Sequence, residues 1–250
     1  MVLRSILIFV TGLIFGSFVS ALTWRYPRKI SVKRGRSFCP NCKKQISWFD
    51  NIPLFSFVLL GGKCRSCKKP ISLRYPFIEL VTGIGFLFLG LVIPSDYFKL
   101  IFTFLILIVL ISIFVIDLEN KIIPDSFVFF GIVVTVIYFI FTDNSTLFPS
   151  LFTGFTAAGL LLAVHLLTRG RGMGLGDIKF AILGGLIVGP RLFLIWLLLA
   201  FLTGAAIGII LILGRKAHLK SQIAFGPFLV FAIPLTLVYG EKILFWLHLG

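Results

Sequence analysis

Acidic side chains are scarce in this chain: nine Asp and Glu among 250 residues, against 24 Lys and Arg, for a formal net charge of +15. No small-x-small cleavage site leads from the first apolar stretch into a polar mature domain, so that stretch is expected to be a retained first helix rather than a signal peptide. No internal repeat or low-complexity linker divides the chain, and no glycine fingerprint for a nucleotide is present. Hydrophobic residues make up 58% of the chain, where soluble domains hold roughly 45–50%. That excess points to a polytopic membrane protein and away from a large soluble core. The positive charge is not that of a nucleic-acid binder. Thirteen of the 24 basic residues fall within 25–74, beside the first apolar run, as in a cytoplasmic membrane loop that favours anionic lipid heads.

Uncharged or nearly uncharged runs lie at about 5–23, 76–93, 100–116, 126–142, 150–168, 180–190, 192–214 and 221–240. A span needs about 20 apolar residues, so seven qualify and 180–190 is short. Snorkelling of Lys179 lengthens it, which gives an all-α membrane protein of about eight transmembrane helices. The expected organisation is a first transmembrane helix at 1–24, a basic cytoplasmic loop at 25–75 and a membrane core at 76–250. With the loop inside, the ends of the third and fifth runs both face the cytoplasm, whichever span count holds.

All four cysteines lie in that loop, as "CPNC" at 39–42 and "CRSC" at 64–67, with 21 residues between the inner pair. Two Cys-x-x-Cys knuckles can set Cys39, Cys42, Cys64 and Cys67 in a tetrahedron around zinc. A redox pair and disulfides are the alternatives, the latter disfavoured on a reducing face. A segment of about 50 residues builds little core, so metal would supply much of its folding energy. No His or carboxylate beside the cysteines suggests an open catalytic position, so the zinc reads as structural. "IPLFSFVLL" at 52–60 reads as a buried strand or as a segment lying on the membrane.

Ionisable groups at membrane depth are functional candidates. Asp117 ends the third run; Asp125 follows Pro124 and reads as an N-cap or a functional group. Glu119 reads as a solvated loop residue, and Glu79 as an interfacial carboxylate or a site residue. Asp50 belongs to the soluble loop, while Asp96, Asp143 and Glu241 read as hydrated loop ends on the far face. His165, a turn inside the fifth run, reads as a hydrogen-bonded packing residue. Asp177 stands apart. It follows Gly170, Gly172, Gly174 and Gly176 in "GRGMGLGDIK", where glycines permit a tight turn and close backbone approach. It also opens a helix, whose free N–H groups favour an anion, whereas Asp117 sits at the carbonyl-rich end of its own helix. These dipoles favour an ionised Asp177 and a protonated Asp117. Such a pair activates water and protonates a leaving amide, which is aspartic-protease chemistry. Proton relays and structural caps are the other readings. Arg169, Arg171 and Lys179 keep this edge cytoplasmic.

With "DLENKIIPD" about 60 residues upstream of "GLGD", the chain resembles the Gly-x-Gly-Asp intramembrane aspartyl proteases. More narrowly, "GLIFGSF" at 12–18, the paired knuckles, "RYPFIELVTG" at 74–83 and "FGPF" at 225–228 resemble bacterial type IV prepilin leader peptidases. Archaeal preflagellin peptidases share the aspartates but lack the cysteine loop. The chain departs from the family at Ser20, where Asn is common, and at Glu119, where many members have Asp. The resemblance implies Asp117 and Asp177 as catalytic residues. It also implies cleavage of the basic leader of prepilins and type II secretion pseudopilins, at the cytoplasmic boundary of the bacterial inner membrane. N-methylation of the new N-terminus with S-adenosylmethionine is implied as well. Gly174, Gly176 and Asp125 are expected to support the active-site turn. Gly62 and Glu79 are candidates for methyl transfer, Gly62 equally an ordinary turn residue. Expected partners are pilin-type substrates and anionic lipids, not nucleic acid. The rival functions are a proton-coupled transporter using Asp117 and Asp177, and a non-enzymatic assembly scaffold.

Overall fold

The computed structural model describes residues 2–31, 36–170, 172–215 and 223–247, so Arg171 and part of the basic loop lie outside the described residues. Nine α-helices occur among them: α1 Val2–Arg25, α2 Phe55–Leu59, α3 Arg74–Val92, α4 Tyr97–Asn120, α5 Asp125–Thr142, α6 Asn144–Leu167, α7 Leu175–Val188, α8 Phe193–Leu213 and α9 Gly226–Trp246. The described residues hold no β-strand beyond two isolated bridges, both in the cysteine loop. "IPLFSFVLL" is therefore not a buried strand; it is a turn followed by the short α2, with no buried residue. The chain divides into two compact units, residues 1–112 and 113–250.

Among the described residues seven helices are long and apolar enough to cross a membrane. The eighth expected run is α7, which has only 14 residues. At 1.5 Å per residue it is about 21 Å long, short of a hydrocarbon core of about 30 Å. Its ends nonetheless join opposite ends of the second unit. It starts beside Ile123, the neighbour of Asp117 and Gly226, while Gly189 beyond its other end lies beside Ser150 of α6. Two residues further on, Arg191 pairs with Glu241 near the end of α9, Nη2 to Oε2 at 3.2 Å. The eight runs are thus eight helices, seven of them of full spanning length.

Local chemistry sets the breaks. Lys121 takes a left-handed φ of 56° as α4 ends, and Pro124 opens α5. Asp143 ends α5 and caps α6, accepting the Ser145 N–H at 3.1 Å. Pro227, in the first turn, starts α9 later than the apolar run at 221 suggests.

Lipid tails are as apolar as Leu, so helices in a bilayer gain by close backbone approach rather than by hiding apolar surface. The first unit packs α1 antiparallel to α3 this way: a methyl group at Gly16 would meet Glu79 Cα at 2.7 Å. Arg74 ties the same pair, donating to Ser20 O at 3.0 Å and Thr23 Oγ1 at 2.7 Å. In the second unit α6 meets α7 through Gly154 and Gly185. A methyl at Gly154 would strike Ile182 O at 2.5 Å, and one at Gly185 would strike Gly154 Cα at 2.8 Å. Trp196 of α8 covers Gly184 and donates its indole N–H to Leu229 O of α9 at 2.9 Å.

Candidate active site

Asp117 lies three residues before the end of α4 and is 4% exposed. Asp177 is the third residue of α7 and is 8% exposed. Both stand at helix ends that meet on Ile123, which packs on Gly176, next to Asp177, and beside Gly226, next to Asp117 Oδ2. Burial and proximity both oppose two charges here, so the pair is expected to share one proton and titrate as a unit.

The end of α6 builds the turn in front of Asp177. Gly170, at φ 77°, donates its N–H to His165 O at 2.8 Å, and the Gly172 N–H reaches Thr168 Oγ1 at 3.0 Å. His165 Nδ1 meets Met173 O at 2.7 Å, and a ring nitrogen facing a carbonyl must carry the proton. His165 of α6 and Thr168, its C-cap, thus clamp the turn from Gly172 to Met173. The next N–H, on Gly174, donates to Asp177 Oδ2 at 3.1 Å, the half of a capping box that an N-cap without a side chain can still make. The packing role read for His165 is realised as this clamp.

Asp117 has a different setting. Its Oδ2 is sealed from solvent against the start of α9. Gly226, at the start of α9, leaves room for that oxygen: a methyl there would stand 2.5 Å from Asp117 Oδ2 and 2.8 Å from Ile123 Cδ1. Ile123 also fills the space over Gly176, 3.0 Å from where its methyl would be. One buried isoleucine therefore joins the starts of α7 and α9 beside both carboxylates. The sequence reading missed Ile123 and gave Gly226 no role, although "FGPF" and "IIPD" contained the signal.

Asp125 is the first residue of α5 rather than its N-cap, which is Pro124. Its carboxylate pairs with Lys179 of α7, both oxygens 2.8 Å from Nζ. Both partners are exposed, so the pair contributes about 0–1 kcal/mol. Glu119 is exposed but lies in the last turn of α4, not in a loop, because the helix runs on to Asn120.

In the first unit the four cysteine sulfurs lie within 4.8 Å of one another and could hold a metal ion. A tetrahedron with metal–sulfur bonds of about 2.3 Å needs sulfurs roughly 3.8 Å apart. Cys39 and Cys67 Sγ stand at 3.9 Å, and all four are free thiols, not disulfides. The two knuckles repeat one geometry. Cys39 N–H donates to Lys44 O and Cys64 N–H to Lys69 O, each at 2.9 Å, with Lys43 and Lys68 at left-handed φ of 61° and 58°.

Gly62 needs its φ of 68°, packs on the Phe57 ring and accepts the Ile71 N–H at 2.7 Å, which accounts for it as a turn residue. Glu79 is buried in α3 and accepts the Leu54 N–H at 2.8 Å. The two residues touch different groups, Gly62 the Phe57 ring and Ile71, Glu79 the Leu54 N–H.

Residues 10–93 match the bacterial peptidase A24 N-terminal domain and residues 104–209 the type IV leader peptidase family. A prepilin leader peptidase/N-methyltransferase of Aeromonas hydrophila is 34% identical over 215 residues, 84% of this chain and 74% of that one. The chain belongs to the type IV leader peptidase family. Proteins of the same description from Legionella pneumophila and Pseudomonas aeruginosa are 32% and 29% identical, over 87% and 93% of this chain and 77% and 89% of theirs. No solved structure matches it. The family's enzymes are peptidases of the aspartic type, and the buried carboxylate pair of the second unit is consistent with that chemistry.

Proposed function

We propose that this chain cleaves the basic leader from type IV prepilins and type II secretion pseudopilins, using Asp117 and Asp177 at the cytoplasmic edge of the bacterial inner membrane. What supports this most is one juxtaposition. Two of nine acidic residues are buried at the ends of α4 and α7, beside a shared Ile123. Asp177 carries the charge, held by the Gly174 N–H and the N–H-rich start of α7. Asp117 carries the proton at the carbonyl-rich end of α4. Asp177 takes a proton from water as the water oxygen bonds to the scissile carbonyl carbon, while Asp117 gives its proton to the carbonyl oxygen. Collapse of the gem-diol breaks the C–N bond as Asp177 gives its proton to the leaving nitrogen and a gem-diol hydroxyl returns one to Asp117, restoring the pair. Gly174, Gly176 and Asp125 with Lys179 support this site.

The four thiolates hold zinc in a structural role, because a closed set of four cysteines leaves no open coordination position. Methylation of the new N-terminus by S-adenosylmethionine rests on the names of the relatives. Gly62 and Glu79 remain its candidates by position.

The test is incubation of purified wild type, Asp117→Asn and Asp177→Asn with a prepilin and labelled S-adenosylmethionine, reading the product's N-terminus by mass spectrometry. Wild type is expected to cleave after the leader and label the new N-terminus, and each variant to leave the leader attached. Normal cleavage by either variant would overturn the dyad. Proton flux in liposomes without any cleavage product would identify a transporter.

A further inference from the structure

We infer that residues 51–60 of the cysteine loop, with α2 at their centre, form a wedge set into the membrane interface and covered by anionic phospholipid. This rests on the membrane placement of α1 and α3, not on the peptidase reading.

Two observations set the depth of the wedge. Leu54 donates its N–H to Glu79 Oε2 at 2.8 Å, and Glu79 lies five residues into α3, 8% exposed. Five residues of helix place it roughly 7 Å inward from Arg74. Independently, Asn51, Ile52 and Pro53 overhang a groove of about 630 Å³ whose floor is one face of α1, from Val10 to Ala21. Arg25 and Arg74 stand at the ends of these antiparallel helices and mark the membrane edge. The loop therefore folds back down beside the two helices instead of standing off in water.

The chemistry agrees with that depth. A backbone N–H inside the apolar layer has no water to bond, which gives Glu79 a reason to be there. The same bond holds Leu54 at φ 57°, ψ −47°, a conformation unusual for a non-glycine residue. Immediately after this anchor, Phe55, Val58 and Leu59 project at helical spacing with exposures of 58%, 75% and 68%. An apolar stripe at that depth meets lipid. The surrounding segment selects the sign of the headgroup: residues 25–74 hold thirteen Lys and Arg and one acidic residue, Asp50. Arg65 already neutralises Asp50, Nη2 to Oδ1 at 2.7 Å. Anionic headgroups therefore meet an almost purely basic rim.

Photocrosslinking tests the wedge. Phe55, Val58 or Leu59 is replaced singly by benzoylphenylalanine in the full chain, with metal content measured as a check on loop folding. The protein is reconstituted in vesicles of equimolar phosphatidylcholine and phosphatidylglycerol, irradiated and digested for mass spectrometry. Phospholipid adducts are expected at all three positions, several-fold more with phosphatidylglycerol. Glu79→Leu is expected to lower their yield at least threefold, while Glu79→Gln, which keeps an acceptor, retains it. Crosslinks to a second copy of the chain or to added prepilin in place of lipid would overturn the proposal, as would an absence of adducts in metal-loaded protein. Equal yields from the two lipids would overturn the anionic preference, and unchanged yields in Glu79→Leu the anchor. Prepilin cleavage, followed in the same vesicles, reports separately on the dyad.

Discussion

A methyl group on Gly226 would stand 2.5 Å from Oδ2 of Asp117, so the first residue of α9 and the buried acidic residue of α4 occupy adjoining space. Gly226→Ala must push the carboxyl, the α9 start or Ile123 aside. Misplacing a catalytic group by an ångström costs on the order of 100-fold. Cleavage is expected to fall by that order, with thermal unfolding in detergent little changed. Near-normal cleavage by Gly226→Ala would separate this glycine from the site.

On the proposed mechanism the two carboxylates act as one unit, so their losses should not add. Asp117→Asn and Asp177→Asn are each expected to abolish cleavage, and the double variant to be no worse than either. The sign of the pH response follows from the shared proton. Rate climbs as rising pH ionises the first carboxyl of the pair, then declines once the second proton is lost. Initial cleavage rates across pH check this, and a single-sided profile would contradict it.

On the same proposal His165 acts through the turn, as a positioning residue. Its bond to Met173 O, with that of Thr168 to the Gly172 N–H, sets the Gly174 N–H toward Asp177. His165→Ala is expected to reduce kcat roughly tenfold with KM held, since substrate contacts are not removed. Asn places an N–H near the Nδ1 position, so His165→Asn should recover most of the rate. Equal losses in both variants would reduce His165 to packing.

With zinc held as proposed by the four cysteines, removing it should affect the first unit selectively. A strong chelator is expected to release one zinc per chain and expose residues 36–72 to protease, because a loop this small has little core of its own. Acid acts in the same direction by protonating the thiolates. The carboxylate pair lies in the other unit, so leader cleavage should survive. Protease mapping beside the cleavage assay separates the outcomes.

The α6–α7 contact leaves no room at Gly185. Gly185→Leu would force backbones apart where a methyl already meets Gly154 Cα at 2.8 Å. Overpacking costs about 1–3 kcal/mol or more when backbone must move. A lower thermal midpoint in detergent, with cleavage lost, is the expected result.

The helical membrane architecture, the cysteine knuckles and the two aspartates are legible in the chain alone, because these are local or compositional facts. Uncharged runs must be helical in lipid, a Cys-x-x-Cys pair has few uses, and nine acidic residues can each be weighed. The glycine turn before Asp177 and the helix start that holds it are local too, and the structure has them there. What surrounds these groups is settled by the folded arrangement instead. Gly226 lies 109 positions after Asp117 in the chain, and nothing in either residue's neighbours announces that they touch. Ile123 looks like one more apolar residue until two helix starts converge on it. Asp125 reads as a cap because caps are local, whereas its partner Lys179 comes from a helix 54 residues away. Glu79 is ambiguous on the same grounds until Leu54 folds back onto it. Spacing along one helix or knuckle can be read from sequence, but the close approach of separate helices depends on packing, and packing is decided only when every side chain has its place.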